Sequence, residues 1–224
     1  MDELKKINID DEIINRYANE LKEASDRAFG DDACMIDYSC GSNVELLKIE
    51  PGEYVIDLGC GTGEEVLAAS LLVGSNGKAI GLDMTPEMLE KAVDSSSCCE
   101  LNNTEFVLGD IDSLPFEDNF ADAIMSNCVI NHAEDKSKVY EEIFRVLKPG
   151  GRFVISEPVS VADLPDEIKN DPQKWGECFG GVVTLEEYMN SINAAGFRIV
   201  EILNRREYIK NGFDFISLTI RAVK

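Results

Sequence analysis

The stretch from Val55 to Gly63 reads Val-Ile-Asp-Leu-Gly-Cys-Gly-Thr-Gly and carries residues well suited to binding a ligand. Its first four residues have strand character, and an amphipathic stretch, Glu64 to Val73, follows its last glycine. Glycines at this spacing permit positive φ angles and let a ligand approach the main chain closely. The first turn of the following helix offers N–H groups that no helical carbonyl accepts. The pattern therefore predicts a strand, a tight turn and a helix that bind a ligand together.

Two acidic residues narrow the choice of ligand. Lys78 to Leu82 is apolar after its first residue, and Asp83 follows it directly. A carboxylate at this distance beyond the glycines can accept hydrogen bonds from both ribose hydroxyls of an adenosine group. Asp57 precedes the glycines, where a carboxylate suits a cationic ligand better than a pyrophosphate. We therefore expect an adenosine-containing cofactor that carries positive charge.

The Asp-Leu-Gly-Cys-Gly-Thr-Gly pattern resembles the class I methyltransferases, and the resemblance covers roughly Glu53 to Pro158. It implies S-adenosylmethionine as the cofactor. It also implies that Asp57 and the glycines lie near the methionine part, Asp83 near the ribose and Asp110 near the adenine. The full set of expected cofactor-binding residues is Asp57, Gly59, Cys60, Gly61, Asp83, Met84, Asp110, Ile111 and Asn127.

Cysteines supply a second possible chemistry. The chain has seven of them, and no pair is spaced Cys-x-x-Cys, which argues against a zinc ribbon. Cys40 precedes the first strand, Cys128 follows the fourth, and Cys178 lies in an insertion after the fifth. If these segments fold over the strand ends, the three thiols can converge. At each position a buried, inert cysteine is the alternative interpretation.

The elements that must position these residues alternate between strand and helix. Such alternation predicts an α/β fold with a doubly wound, mostly parallel, seven-stranded Rossmann-like sheet, an antiparallel C-terminal strand and an N-terminal helical lid. Ligands of such sheets bind beyond the carboxyl ends of the strands. The expected strands are Val55–Leu58, Lys78–Leu82, Thr104–Leu108, Ala121–Met125, Arg152–Ser156, Phe197–Leu203 and Phe215–Ala222.

The chain of 224 residues is expected to form one domain, 1–224. Within it we expect a helical cap at 1–50, which contains an amphipathic helix from Asp10 to Ala28. Residues 159–183 are expected to form an irregular insertion over the active site, with a short helix at Leu164–Asn170. His132 is the sole histidine, and we interpret it as a surface residue.

Composition excludes several classes of function. The formal charge of −22 and the lack of a basic stripe argue against nucleic-acid and anionic-membrane partners. No stretch is long and apolar enough to span a bilayer, and the polar N-terminus does not resemble a signal peptide. We therefore expect a cytoplasmic protein, whose cysteines are not structural disulfides.

Three cysteine-containing stretches resemble arsenite methyltransferases: Tyr38–Asn43, Ser126–Asn131 and Trp175–Gly181. The resemblance runs from about Tyr38 to Phe197. It implies that Cys40, Cys128 and Cys178 bind trivalent arsenic and act as the catalytic residues. It further implies a trivalent arsenical as substrate, methylated arsenicals as products, and an external thiol reductant such as thioredoxin or glutathione. Thiolates are soft ligands and suit arsenic(III) by the softness that also governs metal sites.

Other functions remain open on the sequence. A methyltransferase for an organic small molecule would need a general base, for which His132 and Asp37 are candidates. A thiol protein that sequesters soft metals would keep the cysteines without needing Asp57 and Asp83. A dinucleotide oxidoreductase is a more distant alternative. The number of methyl transfers, the reductant, the oligomeric state and a redox role for Cys34 are left undetermined.

Overall fold

The computed structural model describes residues 9–19 and 43–224, apart from the side chains of residues 199 and 200. Its centre is a seven-stranded sheet. The strands are β1 Tyr54–Leu58, β2 Lys78–Asp83, β3 Thr104–Leu108, β4 Ala121–Asn127, β5 Leu147–Ser160, β6 Arg198–Lys210 and β7 Phe213–Val223.

The sheet has the order β3-β2-β1-β4-β5-β7-β6. Neighbouring strands from β3 through β5 run parallel, whereas β7 is antiparallel to both β5 and β6. This confirms the expected doubly wound fold with an antiparallel strand near the C-terminus. The strand order reverses between β1 and β4, and ligands of open α/β sheets bind in the crevice at such a point.

Helices cover both faces of the sheet. The helix of residues 9–19, α1, begins one residue before the predicted N-terminal helix. The remainder of that predicted helix is outside the described residues, together with Cys34, Asp37 and Cys40. The others are α2 Asn43–Leu47, α3 Glu64–Val73, α4 Pro86–Cys98, α5 Lys136–Val146, α6 Asp166–Lys169, α7 Pro172–Gly176, α8 Leu185–Ala194 and a 3-10 helix, Ile130–His132. None of the helices in the described residues is long and apolar enough to cross a membrane.

Local sequence explains where two of these helices begin. Asp135 caps α5, because its carboxylate accepts hydrogen bonds from the N–H groups of Ser137 and Lys138. Thr184 and Glu187 form a capping box at the start of α8. Burial on one face then holds each helix to the sheet, with Tyr140 of α5 packed edge-to-face on Tyr188 of α8.

The insertion after β5 differs from expectation. β5 extends to Ser160 because β7 pairs with it as far as Ser160↔Phe215, so the first two residues of the expected insertion belong to the strand. The short helix α6 lies within the expected range Leu164–Asn170, and α7 is a second helix that was not expected. The Ser160 N–H donates to the Val183 carbonyl at 2.9 Å. The segment between these two residues therefore leaves the carboxyl end of β5 and returns to the same point.

Candidate active site

A cavity lies at the carboxyl ends of β1, β2 and β4, and we call it the first cavity. Main chain of the glycine turn forms one wall and the end of β2 forms another. Its lining residues are Asp10, Ile13, Tyr17, Gly59, Gly61, Thr62, Leu82, Asp83, Met84, Thr85, Met88, Gly109, Asp110, Ile111, Asn127, Cys128, Val129, His132, Ala133 and Glu134.

The glycine turn adopts the predicted strand–turn–helix form. Gly59 and Gly61 have φ angles of 71° and 51°, in the left-handed region that glycine tolerates best. A Cβ on Gly59 would clash with the side chain of Val129, whereas one on Gly61 would meet no protein atom within 4 Å. Gly59 therefore allows the turn to pack against the loop after β4, and Gly61 leaves space beside the first cavity.

Asp83 ties the end of β2 to the glycine turn. Its Oδ2 accepts the Gly61 N–H at 2.9 Å, and its Oδ1 accepts the Thr85 N–H at 2.9 Å. A carboxylate oxygen can accept more than one hydrogen bond. Asp83 can therefore hold the turn in place and still accept hydroxyl groups from a ligand in the first cavity.

Three carboxyl groups crowd the end of β1. Burial, followed by the charges of Glu65 and Asp83, raises the pKa of Asp57. Burial likewise raises the pKa of Glu65 and of Asp83. A cationic ligand would favour their ionised forms, because an opposite charge nearby stabilises a carboxylate. The open glycine wall and this acidic surrounding fit a sulfonium cofactor better than a pyrophosphate.

The predicted cofactor residues divide into two groups. Those that line the first cavity are Gly59, Gly61, Asp83, Met84, Asp110, Ile111 and Asn127. Asp57 and Cys60 are buried and are not among the lining residues. The Cys60 thiol packs where a Cβ on Gly81 would clash.

Sequence reasoning missed Asn43 and Glu65. The Asn43 side chain donates to the Ser126 carbonyl at 2.7 Å and accepts the Ser156 hydroxyl at 2.7 Å. Its backbone N–H donates to Glu65 Oε1 at 2.7 Å. These bonds fasten the end of the first cysteine-containing stretch to the ends of β4 and β5. The one indication of a role for Asn43 in the sequence is that it is the last residue of the stretch Tyr38–Asn43.

A second cavity adjoins the first, and two cysteines lie on it. Its lining residues are Arg16, Tyr17, Cys128, Pro158, Glu177, Cys178, Phe179, Val182, Tyr208, Lys210 and Phe215. Cys128 lines both cavities. The Cys178 sulfur lies 3.6 Å from the Cys128 carbonyl oxygen. The fold thus brings together two of the three cysteines that the sequence singled out, whereas Cys40 lies outside the described residues.

Both cysteines have unusual backbone conformations. The φ angles are 56° at Cys128 and 53° at Cys178, in the left-handed region that non-glycine residues rarely occupy. Backbone strain of this kind persists where the surrounding structure enforces it, at active sites among other places. Cys128 is also disulfide-bonded, which the sequence did not lead us to expect, while the other described cysteines, Cys178 included, are not. Cys98 and Cys99 are exposed at the end of α4.

Close packing explains why the two cysteine-containing segments meet. A Cβ on Gly181 would clash with the Asn131 carbonyl oxygen and with the Trp175 ring. Asn131 also donates from its side chain to the Pro158 carbonyl at 2.8 Å. The segment that carries Cys178 therefore rests directly on the loop that carries Cys128.

We expect Gly181→Ala to separate these two segments. The added methyl group would meet backbone, which cannot rotate away, and overpacking of this kind costs about 1–3 kcal/mol. The measurement is the thermal midpoint, together with the rate at which Cys178 is alkylated. Gly212→Ala serves as a control, because a Cβ there meets no atom within 4 Å, although its positive φ adds some strain. An unchanged midpoint in Gly181→Ala would contradict this packing argument.

His132 is buried, with 7% of its surface exposed, so its interpretation as a surface residue was wrong. It ends the 3-10 helix, and this short turn directs it inward beneath the insertion. Its Nε2 lies 3.0 Å from the Cys178 sulfur and 3.2 Å from the Tyr17 hydroxyl. Burial lowers the pKa of His132 to about 4, so the ring is neutral at physiological pH.

Glu157 is a buried carboxyl in β5 that sequence reasoning also missed. Its Oε1 accepts the Ile130 N–H at 2.6 Å. Burial, followed by the influence of Cys178, raises its pKa from 4.5 to about 8. The side chain is therefore largely protonated at neutral pH, which avoids a buried negative charge beside the thiols.

This carboxyl predicts a pH dependence of stability. Because the folded-state pKa of Glu157 is the higher one, its contribution to stability is fully present below pH 4.5 and is lost as the pH rises to about 8. The loss is of the order of a few kcal/mol, at about 1.4 kcal/mol per pKa unit. Glu157→Gln should flatten the dependence of the unfolding free energy between pH 5 and 8, measured by urea titration. Glu105→Gln, at an exposed position on β3, is the control. An unaltered slope in Glu157→Gln would contradict the assignment.

In the described residues, no group of three or more His, Cys, Asp or Glu side chains is placed to hold a metal ion. The side chains at the two cavities include carboxylic acids, two cysteines and one neutral imidazole. The acids favour a cationic ligand, and the thiols favour a soft acceptor.

Comparisons with known proteins identify methyltransferases as relatives of this chain. A family model described as a methyltransferase domain matches residues 49–196. The arsenite methyltransferase of Halobacterium salinarum is 38% identical over 195 residues, which cover 87% of this chain and 49% of that protein. The human arsenite methyltransferase is 33% identical, with 76% of this chain and 50% of that protein covered. The chain thus spans about half the length of these curated relatives.

A solved structure extends the comparison to the fold. It is that of an arsenic(III) S-adenosylmethionine methyltransferase, CrArsM, from Chlamydomonas reinhardtii. The two superpose with a TM-score of 0.72 at 29% sequence identity, and the match covers 95% of this chain and 73% of that one. The similarity therefore includes the elements that carry both cavities.

Proposed function

Because the chain belongs to the family of methyltransferase domains, we propose that it transfers a methyl group from S-adenosylmethionine to trivalent arsenic held by cysteine thiolates. The observation that carries this proposal is the position of Cys128. It lines the first cavity, which is suited to the cofactor, and the second cavity, on which Cys178 also lies. A thiol at this junction can hold an acceptor atom next to a methyl donor.

The cofactor would occupy the first cavity. Asp83 would accept the ribose hydroxyls, Asp110 would lie near the adenine, and the Gly59–Gly61 main chain would face the methionine part. Asp57 and Glu65 would stabilise the positive charge from beneath, since their own pKa values are raised in its absence. When bound, S-adenosylmethionine supplies an electrophilic methyl group.

The thiols would bind arsenite by ligand exchange. Each As–OH group is replaced by an As–S bond, and each thiol hydrogen leaves with a hydroxyl group as water, so the exchange is balanced. Cys128 and Cys178 supply two ligands. We assign the third to Cys40, because Asn43, three residues later in the chain, is fastened to Ser126 beside Cys128.

Arsenic held by three thiolates keeps a lone pair, which could form the new As–C bond without a general base. The S–CH3 bond of the methyl donor would break in the same step, with its electron pair left on the sulfur of S-adenosylhomocysteine. The protein's part is then to orient arsenic and to exclude water. Apolar and aromatic side chains wall the second cavity, among them Phe179, Val182 and Phe215. Because no general base is needed, the site can function although its histidine, His132, is neutral and lies within hydrogen-bond distance of the Cys178 sulfur.

A reductant is needed at two points. The disulfide at Cys128 must gain two electrons and two protons before that sulfur can bind arsenic. Methylation formally oxidises arsenic by two electrons, which must be returned before a further cycle. We assign both reductions to an external thiol of the thioredoxin or glutathione class, which becomes a disulfide. A reducing compartment such as the cytoplasm would supply it.

The test is an incubation of the protein with arsenite, S-adenosylmethionine and excess thiol, followed by separation of the arsenic species. Methylarsenic products that form in proportion to enzyme would support the proposal, and their methylation level would show how many transfers occur. A protein that binds S-adenosylmethionine but makes no methylarsenic would overturn the arsenic assignment and favour an organic substrate. Failure to bind S-adenosylmethionine at all would favour a thiol protein that sequesters soft metals.

A further inference from the structure

Three polar atoms from separate parts of the chain meet at the second cavity. The Tyr17 hydroxyl of α1 lies 3.2 Å from His132 Nε2 and 3.3 Å from the Cys178 sulfur. The same sulfur lies 3.0 Å from His132 Nε2. The three atoms thus form a closed triangle, in which each is within hydrogen-bond distance of the other two.

The two partners of Cys178 are themselves held in place. His132 is buried, its backbone N–H donates to the Val129 carbonyl at 2.9 Å, and its ring packs edge-to-face against Tyr17. Tyr17 lines both cavities, as Cys128 does. A hydroxyl and an imidazole nitrogen that cannot move far restrict the rotamer of the sulfur between them.

We propose that His132 and Tyr17 are positioning residues that hold the Cys178 sulfur at the second cavity, ready to bind arsenic. This inference rests on the proposed function, but its first part, the fixing of the sulfur, does not require it.

The triangle suits both states of the sulfur. As a thiol, Cys178 can donate its hydrogen to His132 Nε2. Once arsenic has replaced that hydrogen, the sulfur can only accept. The Tyr17 hydroxyl can then donate to it, and so can His132 in the tautomer that carries the ring hydrogen on Nε2 instead of Nδ1. The thiol hydrogen leaves with an arsenite hydroxyl as water, so neither residue has to gain or lose a proton overall.

The first test is the alkylation rate of Cys178 by iodoacetamide in the reduced protein. The tryptic peptide from Trp175 to Arg198 contains no other cysteine, so mass spectrometry reads this one sulfur. His132→Leu should slow its alkylation about tenfold, the factor that one net hydrogen bond is worth. His132→Gln, which can place an amide near Nε2, should restore most of the rate.

The second test separates positioning from folding. His132→Leu should raise the KM for arsenite about tenfold while leaving the KM for S-adenosylmethionine and the thermal midpoint nearly unchanged. Tyr17→Phe should act in the same direction, with Tyr54→Phe, at an exposed tyrosine remote from both cavities, as its control.

Two results would overturn the inference. One is a His132→Leu variant whose Cys178 alkylation rate and arsenite KM match the wild type. The other is an equal rise in both KM values with a lower thermal midpoint in His132→Leu and His132→Gln alike, which would show a structural role. If the wild type does not methylate arsenite, the proposed function fails, yet the alkylation rates still decide whether these residues position the sulfur.

Discussion

Serine at Cys128 or at Cys178 is expected to lower the rate of arsenite methylation by more than about 100-fold, with S-adenosylmethionine binding retained. Even residues that only support a bound ion's ligands are worth roughly 10- to 100-fold, and a ligand itself should be worth more. Serine keeps the Cβ, so the backbone strain at these positive φ angles is the same. Only the soft sulfur is lost. Initial rates of methylarsenic formation provide the measurement.

The matched controls are Cys98→Ser and Cys99→Ser, because both cysteines are exposed at the end of α4. Neither should alter turnover. Isothermal titration with S-adenosylmethionine then separates the possible failures. If Cys178→Ser turned over normally, the cysteines would not be arsenic ligands and an organic acceptor would be favoured. If Cys128→Ser lost cofactor affinity as much as turnover, its role would be structural.

Alanine at Asp83 is expected to weaken S-adenosylmethionine binding by about 100-fold or more. Two hydrogen bonds from ribose hydroxyls to a carboxylate, at about 1.5–3 kcal/mol each, would be lost. The variant also removes the acceptors of the Gly61 and Thr85 N–H groups, which loosens the glycine turn. The dissociation constant from calorimetry is the quantity to compare.

Asp83→Asn is the control for misfolding as the cause of weaker cofactor binding, because asparagine keeps the shape of the side chain and one oxygen acceptor. It should bind the cofactor with intermediate affinity and unfold near the wild-type temperature. Asp163→Ala, at an exposed aspartate, should change neither quantity. A folded Asp83→Ala protein with wild-type affinity would contradict the placement of the ribose at this carboxylate.

The fold was predictable from the sequence where a strand is a short apolar run bounded by turn residues, as in β1, β2 and β3. The length of β5 was not, because its last residues become strand only through pairing with β7, which lies far along the chain. The final hairpin strands are likewise longer than their apolar stretches, since partner backbone rather than side-chain type extends them.

The sequence was sufficient to predict which types of residue line the cavities. It was not sufficient to predict how deeply some of these side chains are buried. Gly59, Gly61 and Asp83 were found from spacing, because backbone freedom and a carboxylate at a strand end have recognisable patterns. The burial of His132 and Glu157 was not predictable, because it depends on the insertion that packs over them. The positive φ angles of Cys128 and Cys178 depend on tertiary packing too, and no local signal marks them.

The most direct measurement is arsenic X-ray absorption on the reduced protein loaded with one equivalent of arsenite. We predict that sulfur replaces oxygen throughout the first coordination shell of arsenic. We also predict that Cys178→Ser, and equally Cys128→Ser, exchanges one of these sulfur neighbours for oxygen. An oxygen-coordinated arsenic in the wild type, or a shell that neither serine variant alters, would contradict the claim that these thiols converge on one arsenic atom.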